Sequence, residues 1–285
     1  MAWAFVTPAS RGIGFHLTRH ILQHTQLPVV ATARKDVSCV KKSILSGLPS
    51  SVDEERLKVL PLDVTGNKAN VTKLRLFQEE ELSTFADEST ISRAAEEAKS
   101  LFPTSSLHLA FCIPGILHPE KSPSQMNHAN LIETFAVNSI GPMLVFKHFS
   151  PFLPGKKKAS ILSQSDSSVL SAQAIWLNMS ARVGSITDNN LGGWYSYRAS
   201  KAAVNSFTKS FDLFLQTRSG GNAMAISYHP GTVKTDLSKE FWASVPKEKL
   251  FSPEFAIAKM WDVVKGLDLS SRGKCFDWKA DQILP

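Results

Sequence analysis

Cysteine is scarce: Cys39, Cys112 and Cys275 are the only three in 285 residues, widely spaced and without a C-x-x-C pair. An odd, sparse set excludes a disulfide framework and a zinc site, and it fits a reducing compartment. Long apolar runs are missing as well, since none approaches the roughly 18 residues of a membrane span. The stretch before the first glycine turn is too short for a targeting segment. The terminal Gln282-Ile283-Leu284-Pro285 is neither a peroxisomal nor a retention address. A cytosolic protein with no membrane contact is expected. There is no arginine-rich run and no recognition-helix or RNA-binding signature. Lys plus Arg is 32 against 25 Asp plus Glu, a net charge of +7. With no nucleic-acid signature, that mild excess suits an anionic small ligand.

What is present is alternation. Apolar runs at Ala2–Val6, Leu27–Ala33, Leu57–Leu62, Leu107–Ile113, Ile175–Met179 and Ala223–Tyr228 read as strands. Helical periodicity fills the gaps, with Ile13, Leu17 and Ile21 in step after the first, and Ile91, Ala94, Ala95, Ala98 and Leu101 before Pro103. Leu131–Phe149 reads as a helix around Asn138, bent at Gly141-Pro142, and Leu250–Leu267 as another; Lys274–Trp278 is a last short strand. Strand–helix alternation of this kind predicts an α/β fold: a doubly wound parallel sheet in three layers, α/β/α. We expect one domain over residues 1–285, with surface insertions near 66–89 and 154–172.

The ligands of such sheets collect at the carboxyl ends of the strands. Thr7-Pro8-Ala9-Ser10-Arg11-Gly12-Ile13-Gly14 follows the first strand and opens a helix, the start of a dinucleotide-binding unit, although the spacing is not G-x-G-x-x-G. Arg34 and Lys35 follow the second strand where an acid would grip a ribose 2′-hydroxyl; an arginine there suits a 2′-phosphate and so NADP(H), the bland alternative being a basic loop. Asp63, Gly115, Ser180 and Pro230-Gly231 also follow strands. Asn138, flanked by Ala136, Val137 and Ile140, is either a satisfied core amide or the holder of a water beside a site. His16, His20 and His24 recur every fourth residue, and we read them as the polar flank of a helix rather than a metal stripe; no metal is expected.

Chemistry is expected at Tyr197 and Lys201, in Gly192-Gly193-Trp194-Tyr195-Ser196-Tyr197-Arg198-Ala199-Ser200-Lys201. Residues i and i+4 of a helix share a face, so phenol and ammonium enter the same space. A nearby positive charge favours the phenolate, which lets a tyrosine exchange a proton with an alcohol oxygen near neutral pH. Tyr197 is chosen over Tyr195 because only it stands four residues before a lysine; Tyr195 is expected as a pocket wall.

Taken in order, Thr7–Gly14, Asp63-Val64-Thr65, Asn138, Tyr197–Lys201 and Pro230–Thr235 resemble the short-chain dehydrogenases/reductases, a Rossmann-fold family. Gly184-Ser185-Ile186, the Gly192–Arg198 run and Phe276-Asp277-Trp278 are similar to its sniffer and C-factor carbonyl-reductase branch. The resemblance implies hydride transfer between NADP(H) and a small carbonyl or alcohol substrate, with Tyr197 as proton donor. Lys201 would hold the nicotinamide ribose and lower the tyrosine pKa, and Asn138 would anchor a relay water. It further implies that Ser10, Arg11 and Ile13 line the phosphates, with Arg11 and Arg34 near the 2′-phosphate. Asp63 and Val64 would meet the adenine, Gly115 and Pro230 would border the cofactor, and Val233 and Thr235 would fix the carboxamide. Relatives are often homodimers or homotetramers.

The chain departs from the family in three places. Pro8 replaces the leading glycine of the phosphate turn, and Cys112-Ile113-Pro114-Gly115 keeps only the glycine of Asn-Asn-Ala-Gly. Ala181 stands where the substrate-orienting serine is expected, leaving Ser180 or Ser185 to substitute. These departures keep open an alternative, an NADP(H)-binding sensor or scaffold with little turnover. Residues 238–252, with Phe241, Trp242 and Val245, are expected to form a lid over an apolar or aromatic substrate.

Overall fold

A computed structural model describes residues 1–65, 88–158 and 161–285. All but the last two residues of the expected insertion at 66–89 lie outside the described residues. Strand β1 (Ala2–Thr7) is buried along its whole length, as are β2 (Val29–Ala33) and β5 (Ala174–Met179), which explains why they read as continuous rather than alternating apolar runs. With β3 (Leu57–Pro61), β4 (Ser106–Cys112), β6 (Ala223–His229), β9 (Cys275–Asp277) and β10 (Gln282–Ile283) they make one 8-stranded sheet in the order β10-β9-β6-β5-β4-β1-β2-β3. Every pairing is parallel except β10 on β9. The sheet is therefore mixed at one edge, where sequence predicts an all-parallel one; Gln282–Ile283 is too short to carry a strand signal of its own.

Both faces are covered. Helices α1 (Gly12–His24) and α2 (Val37–Leu45) pack on one face, where Leu17, Ile21 and Ile44 meet Val6, Val29 and Ile175. On the other, α3 (Glu88–Leu101), α4 (His128–Phe135), a π-helical turn at Ala136–Ile140 and α5 (Gly141–Phe149) cover Trp3, Phe5 and Trp176. The bend expected at Gly141-Pro142 is thus a π turn immediately before it, and Pro142 brings no N–H to the ladder there. The continuous stretch His128–Phe152 is long and apolar enough to cross a membrane, against the sequence reading, but half of its most apolar 18-residue window is buried in the fold. Much of its apolar surface is thereby accounted for by packing on the sheet.

The insertion expected at 154–172 is docked rather than free. Its short helix α6 (Gln164–Ser167) carries Asp166, which is buried and accepts the Gln26 N–H at 2.8 Å. Helix α7 (Tyr195–Ser219) follows β5. The expected helix from Leu250 begins instead at Pro253: Leu250–Phe251 (β8) pairs with Thr232–Val233 (β7), and Ser252 caps α8 (Pro253–Gly266) by accepting the Phe255 N–H. His20 lies between His24, at 4.0 Å between ring centroids, and Trp261, at 4.9 Å, so the histidine stripe packs α1 against α8.

Candidate active site

Helix α7 is set against β5 by polar contacts. Trp176, Asn178 and Ser180 share one face of the strand run. Trp176 Nε1 donates to Asn178 Oδ1 at 3.0 Å, and Asn178 Nδ2 donates to Thr208 Oγ1 at 2.9 Å. The Ser180 hydroxyl donates to Asn205 Oδ1 at 2.7 Å. Gly184 allows the helix to approach, because a Cβ there would lie 2.6 Å from the Lys201 carbonyl carbon.

This close packing buries Tyr197 and Lys201. Tyr197 is 8% exposed and Lys201 1%. The Lys201 ammonium donates to the Met179 carbonyl at 2.9 Å and stands over the Tyr197 ring, 5.6 Å from its centroid. Burial pushes the phenol up to about 12 and the amine down to about 8. The lowered phenol pKa expected from sequence is therefore reversed in this structure. The ammonium stands over the ring, and removal of the phenolate from water is what raises the pKa.

Asn138 lies in the π turn and is fully buried. Its Oδ1 accepts the Ile116 N–H at 2.8 Å, while Nδ2 donates to the Ile116 carbonyl and to Ser200 Oγ, both at 3.0 Å. These contacts tie the loop after β4 to α7. Gly115 borders Lys201: a Cβ there would lie 3.7 Å from the ammonium, 3.6 Å from Leu237 Cδ1 and 3.9 Å from Asn138 Oδ1.

The remaining expected residues form two further groups along the same edge. At the first turn Gly12 is left-handed at φ 57°, and a Cβ on it would come 3.4 Å from Thr235 Cγ2. Ile13 packs with Val233, Phe251 and Trp278, joining the turn to β7 and β8. Ser10 and Arg11 are exposed, and Arg11 Nη1 pairs with Asp236 at 3.1 Å. Pro230 is buried at the end of β6. Beyond β2 and β3, Arg34 Nη1 donates to Thr65 Oγ1 at 3.3 Å, and Thr65 is held by Asp63 through its N–H at 2.7 Å and its hydroxyl at 2.6 Å. Val64 is buried under Gly141.

Both serines left open for the substrate-orienting role have partners other than Tyr197. Ser180, expected there, is turned to Asn205, and Ser185 Oγ accepts the Asp188 N–H at 3.1 Å. Ala181, with extended backbone at φ −152° and ψ 149°, occupies the intervening position. Tyr195 points about 200° around the helix from Tyr197. It lines a separate groove of about 360 Å³ with Ile186, Gly192 and Arg198. The aromatic wall belongs to Trp194, edge-on to Tyr197 at 6.2 Å and 5.0 Å from Phe241 of the expected lid, here a 3-10 run over Asp236–Ser244. Sequence reasoning gave Trp194 no role of its own and did not single out Glu120, whose backbone carbonyl accepts the Trp194 N–H. The Gly-Gly dipeptide before Trp194 was the available signal for a left-handed turn, whereas nothing local marks Glu120.

No family model matches the chain. Among characterised sequences it is 27% identical over 158 residues to the C-signal protein of Myxococcus xanthus, covering 55% of this chain and 80% of that one. Among solved structures, the NADPH-bound carbonyl reductase from chicken fatty liver superposes with a TM-score of 0.76 at 26% identity, over 99% of this chain and 98% of the other. The carbonyl reductase Sniffer of D. melanogaster gives a TM-score of 0.75 at 22% identity, with 100% of both chains covered.

Proposed function

The chain belongs to the short-chain dehydrogenase/reductase family, and on that premise we propose that it is an NADP(H)-dependent oxidoreductase acting on a small carbonyl or alcohol, with Tyr197 as general acid/base. The observation that carries this reading is the buried Tyr197–Lys201 pair at the carboxyl edge of a parallel sheet, with Gly115 beside the ammonium. Its solved relative from chicken liver is an NADPH-bound carbonyl reductase.

The residues present fit NADP(H). The left-handed Gly12 leads directly into α1, whose N-terminus offers free N–H groups and a favourable dipole to a phosphate. Ser10, Arg11 and Ile13 would line the phosphates, with Arg34 and Arg11 reaching a 2′-phosphate. Asp63 and Val64 would border the adenine, and Gly115, Pro230, Val233 and Thr235 the nicotinamide half. Lys201 would hold the ribose. Bound there, NADP(H) would supply the hydride for the carbonyl carbon. Tyr197, held up near 12 by burial, is protonated at neutral pH and so is ready to donate to the carbonyl oxygen. Asn138 keeps the loop carrying Gly115 against α7. Trp194 and Phe241 give the substrate side an apolar, aromatic wall.

One observation favours a second reading, an NADP(H)-binding sensor or scaffold with little turnover: the Ser180 hydroxyl is bonded to Asn205 and Ala181 has none. One experiment separates the two. Purified protein is mixed with NADPH and a panel of aldehydes, ketones and quinones, and cofactor oxidation is followed. Tyr197→Phe is expected to lower turnover by about 10²–10⁴-fold while NADPH binding is kept. Wild type no faster than Tyr197→Phe on every substrate, with NADPH still bound, refutes the enzyme reading.

A further inference from the structure

Helix α7 begins at Tyr195, so Tyr197 stands in its first turn, the part of a helix most prone to fray. The approach to that turn is unusual. Gly192, Gly193 and Trp194 take successive left-handed conformations, at φ 62°, 65° and 48°. Trp194 occupies the N-cap position, where its indole makes no capping hydrogen bond. The cap comes from a distant segment. Glu120, 3% exposed, lies in the loop after β4, and its carboxylate accepts from Ser196 Oγ at 2.5 Å and from the Ser196 N–H at 3.4 Å. Its backbone carbonyl also accepts the Trp194 N–H at 2.6 Å. A Cβ on Gly193 would meet that carbonyl at a tight 3.3 Å, and the left-handed backbone there at φ 65° favours glycine as well. The clamp is itself held: Gln125 Oε1 accepts the Lys121 and Ser122 N–H groups, and His118 Nε2 pairs with Glu133 of α4 at 3.1 Å.

We propose that Glu120 is a positioning residue for Tyr197: it supplies the missing cap of α7 and fixes the turn from which both the phenol and the Trp194 wall project. The role rests on the reading of Tyr197 as proton donor. An acid at a helix N-terminus also complements the dipole, which favours a carboxylate at this place. A misplacement of about 1 Å at a reacting group lowers turnover by about 10²-fold, so a frayed first turn acts on kcat rather than on cofactor affinity.

The test compares Glu120→Ala, Glu120→Gln and Asp166→Ala. Asp166 is a buried acid accepting a backbone N–H just before β2, at the opposite end of the strands, and serves as the control for lost stability. Turnover of the best carbonyl substrate, NADPH affinity and amide hydrogen exchange over residues 190–198 are measured in each. Glu120→Ala is expected to lower kcat about 10–100-fold, leave NADPH affinity within about twofold and quicken exchange from Trp194 to Arg198. Glu120→Gln is expected to recover kcat to within about threefold, because its amide oxygen accepts the Ser196 N–H and the Ser196 hydroxyl can turn to accept from its amide nitrogen. Wild-type kcat in Glu120→Ala overturns the proposal. So does an equal loss in Asp166→Ala at matched stability, or a Glu120→Gln as impaired as the alanine variant. Failure of the enzyme reading has a different signature: the wild-type chain turns over no carbonyl at all, which removes the positioning role with it.

Discussion

Replacing Lys201 by methionine should make the cofactor-free protein more stable while destroying its activity. The side chains are of similar length, and the lysine is 1% exposed. Burial has moved its pKa from the ordinary 10.5 to about 8, which at about 1.4 kcal/mol per pH unit is about 3 kcal/mol held against the charged form. Methionine removes that penalty but takes a donor from the Met179 carbonyl, a loss of about 1 kcal/mol. The net expectation at pH 7 is a gain of about 2 kcal/mol, or about 4 °C in Tm. The pH dependence follows from linkage. Between pH 8 and 10.5 the unfolded chain holds this proton more tightly than the folded one, so wild-type stability from this group rises with pH. The penalty is complete below pH 8 and gone above 10.5, and the gap between variant and wild type must close across that window. Urea unfolding followed by tryptophan fluorescence at pH 7 and pH 10 reads both quantities. A Lys201→Met protein less stable than wild type at pH 7, or a gap that does not narrow by pH 10, refutes the claim that burying the Lys201 ammonium costs the folded chain stability.

Other perturbations bear on the same edge. Ala181→Ser restores a hydroxyl at the position between Ser180 and Arg182 and is expected to raise kcat about tenfold in the NADPH oxidation assay, a modest share of what a well-placed donor contributes; no rise refutes the idea that this hydroxyl limits the site. Asp236→Ala frees Arg11 from an ion pair exposed on both sides, whose strength is at most about 1 kcal/mol, so NADPH should bind about two- to fivefold tighter at low salt. That gain should fade by about 1 M salt, where the screening length is about 3 Å, and its persistence there would show that charge release is not the cause.

The sheet was legible in the sequence because its central strands are buried on both faces, which leaves runs such as Ala2–Thr7 and Ala174–Met179 with little polar interruption. Tyr197 and Lys201 were legible because a four-residue spacing means one helix face. Features that depend on distant partners were not. Leu250–Phe251 has the apolar content of a helix start and becomes a strand only because β7 lies beside it. The π turn at Ala136–Ile140 is set where Asn138 closes onto Ile116 and Ser200, contacts that no local pattern encodes. Glu120 sits in a polar loop like any solvated acid, and its role appears only when that loop meets Trp194 and Ser196. Whether Ser180 or Ser185 stands in for the orienting serine is open in the sequence, which gives a neighbourhood but not a rotamer; the Ser180 hydroxyl is bonded to Asn205, one helical turn after Lys201.

The fate of Ser180 follows from how α7 is registered. An apolar face would tolerate small slips of helix along strand, but a row of buried polar partners does not. Sliding α7 would separate Ser180 from the half-buried Asn205 and Asn178 from Thr208, the latter in an interior where an unpaired group costs about 1–3 kcal/mol. It would also press Gly184 against a different part of the helix, where not even a Cβ can be accommodated without a shift. The β5 ladder and Gly184 therefore fix the height of Lys201, while the Glu120 clamp fixes the first turn carrying Tyr197. With Ser180 engaged in that ladder, turning its hydroxyl to a substrate would break its bond to Asn205, whereas a hydroxyl added at position 181 leaves that bond intact. That is why Ala181→Ser, and no change at Ser180, is the substitution expected to improve the site.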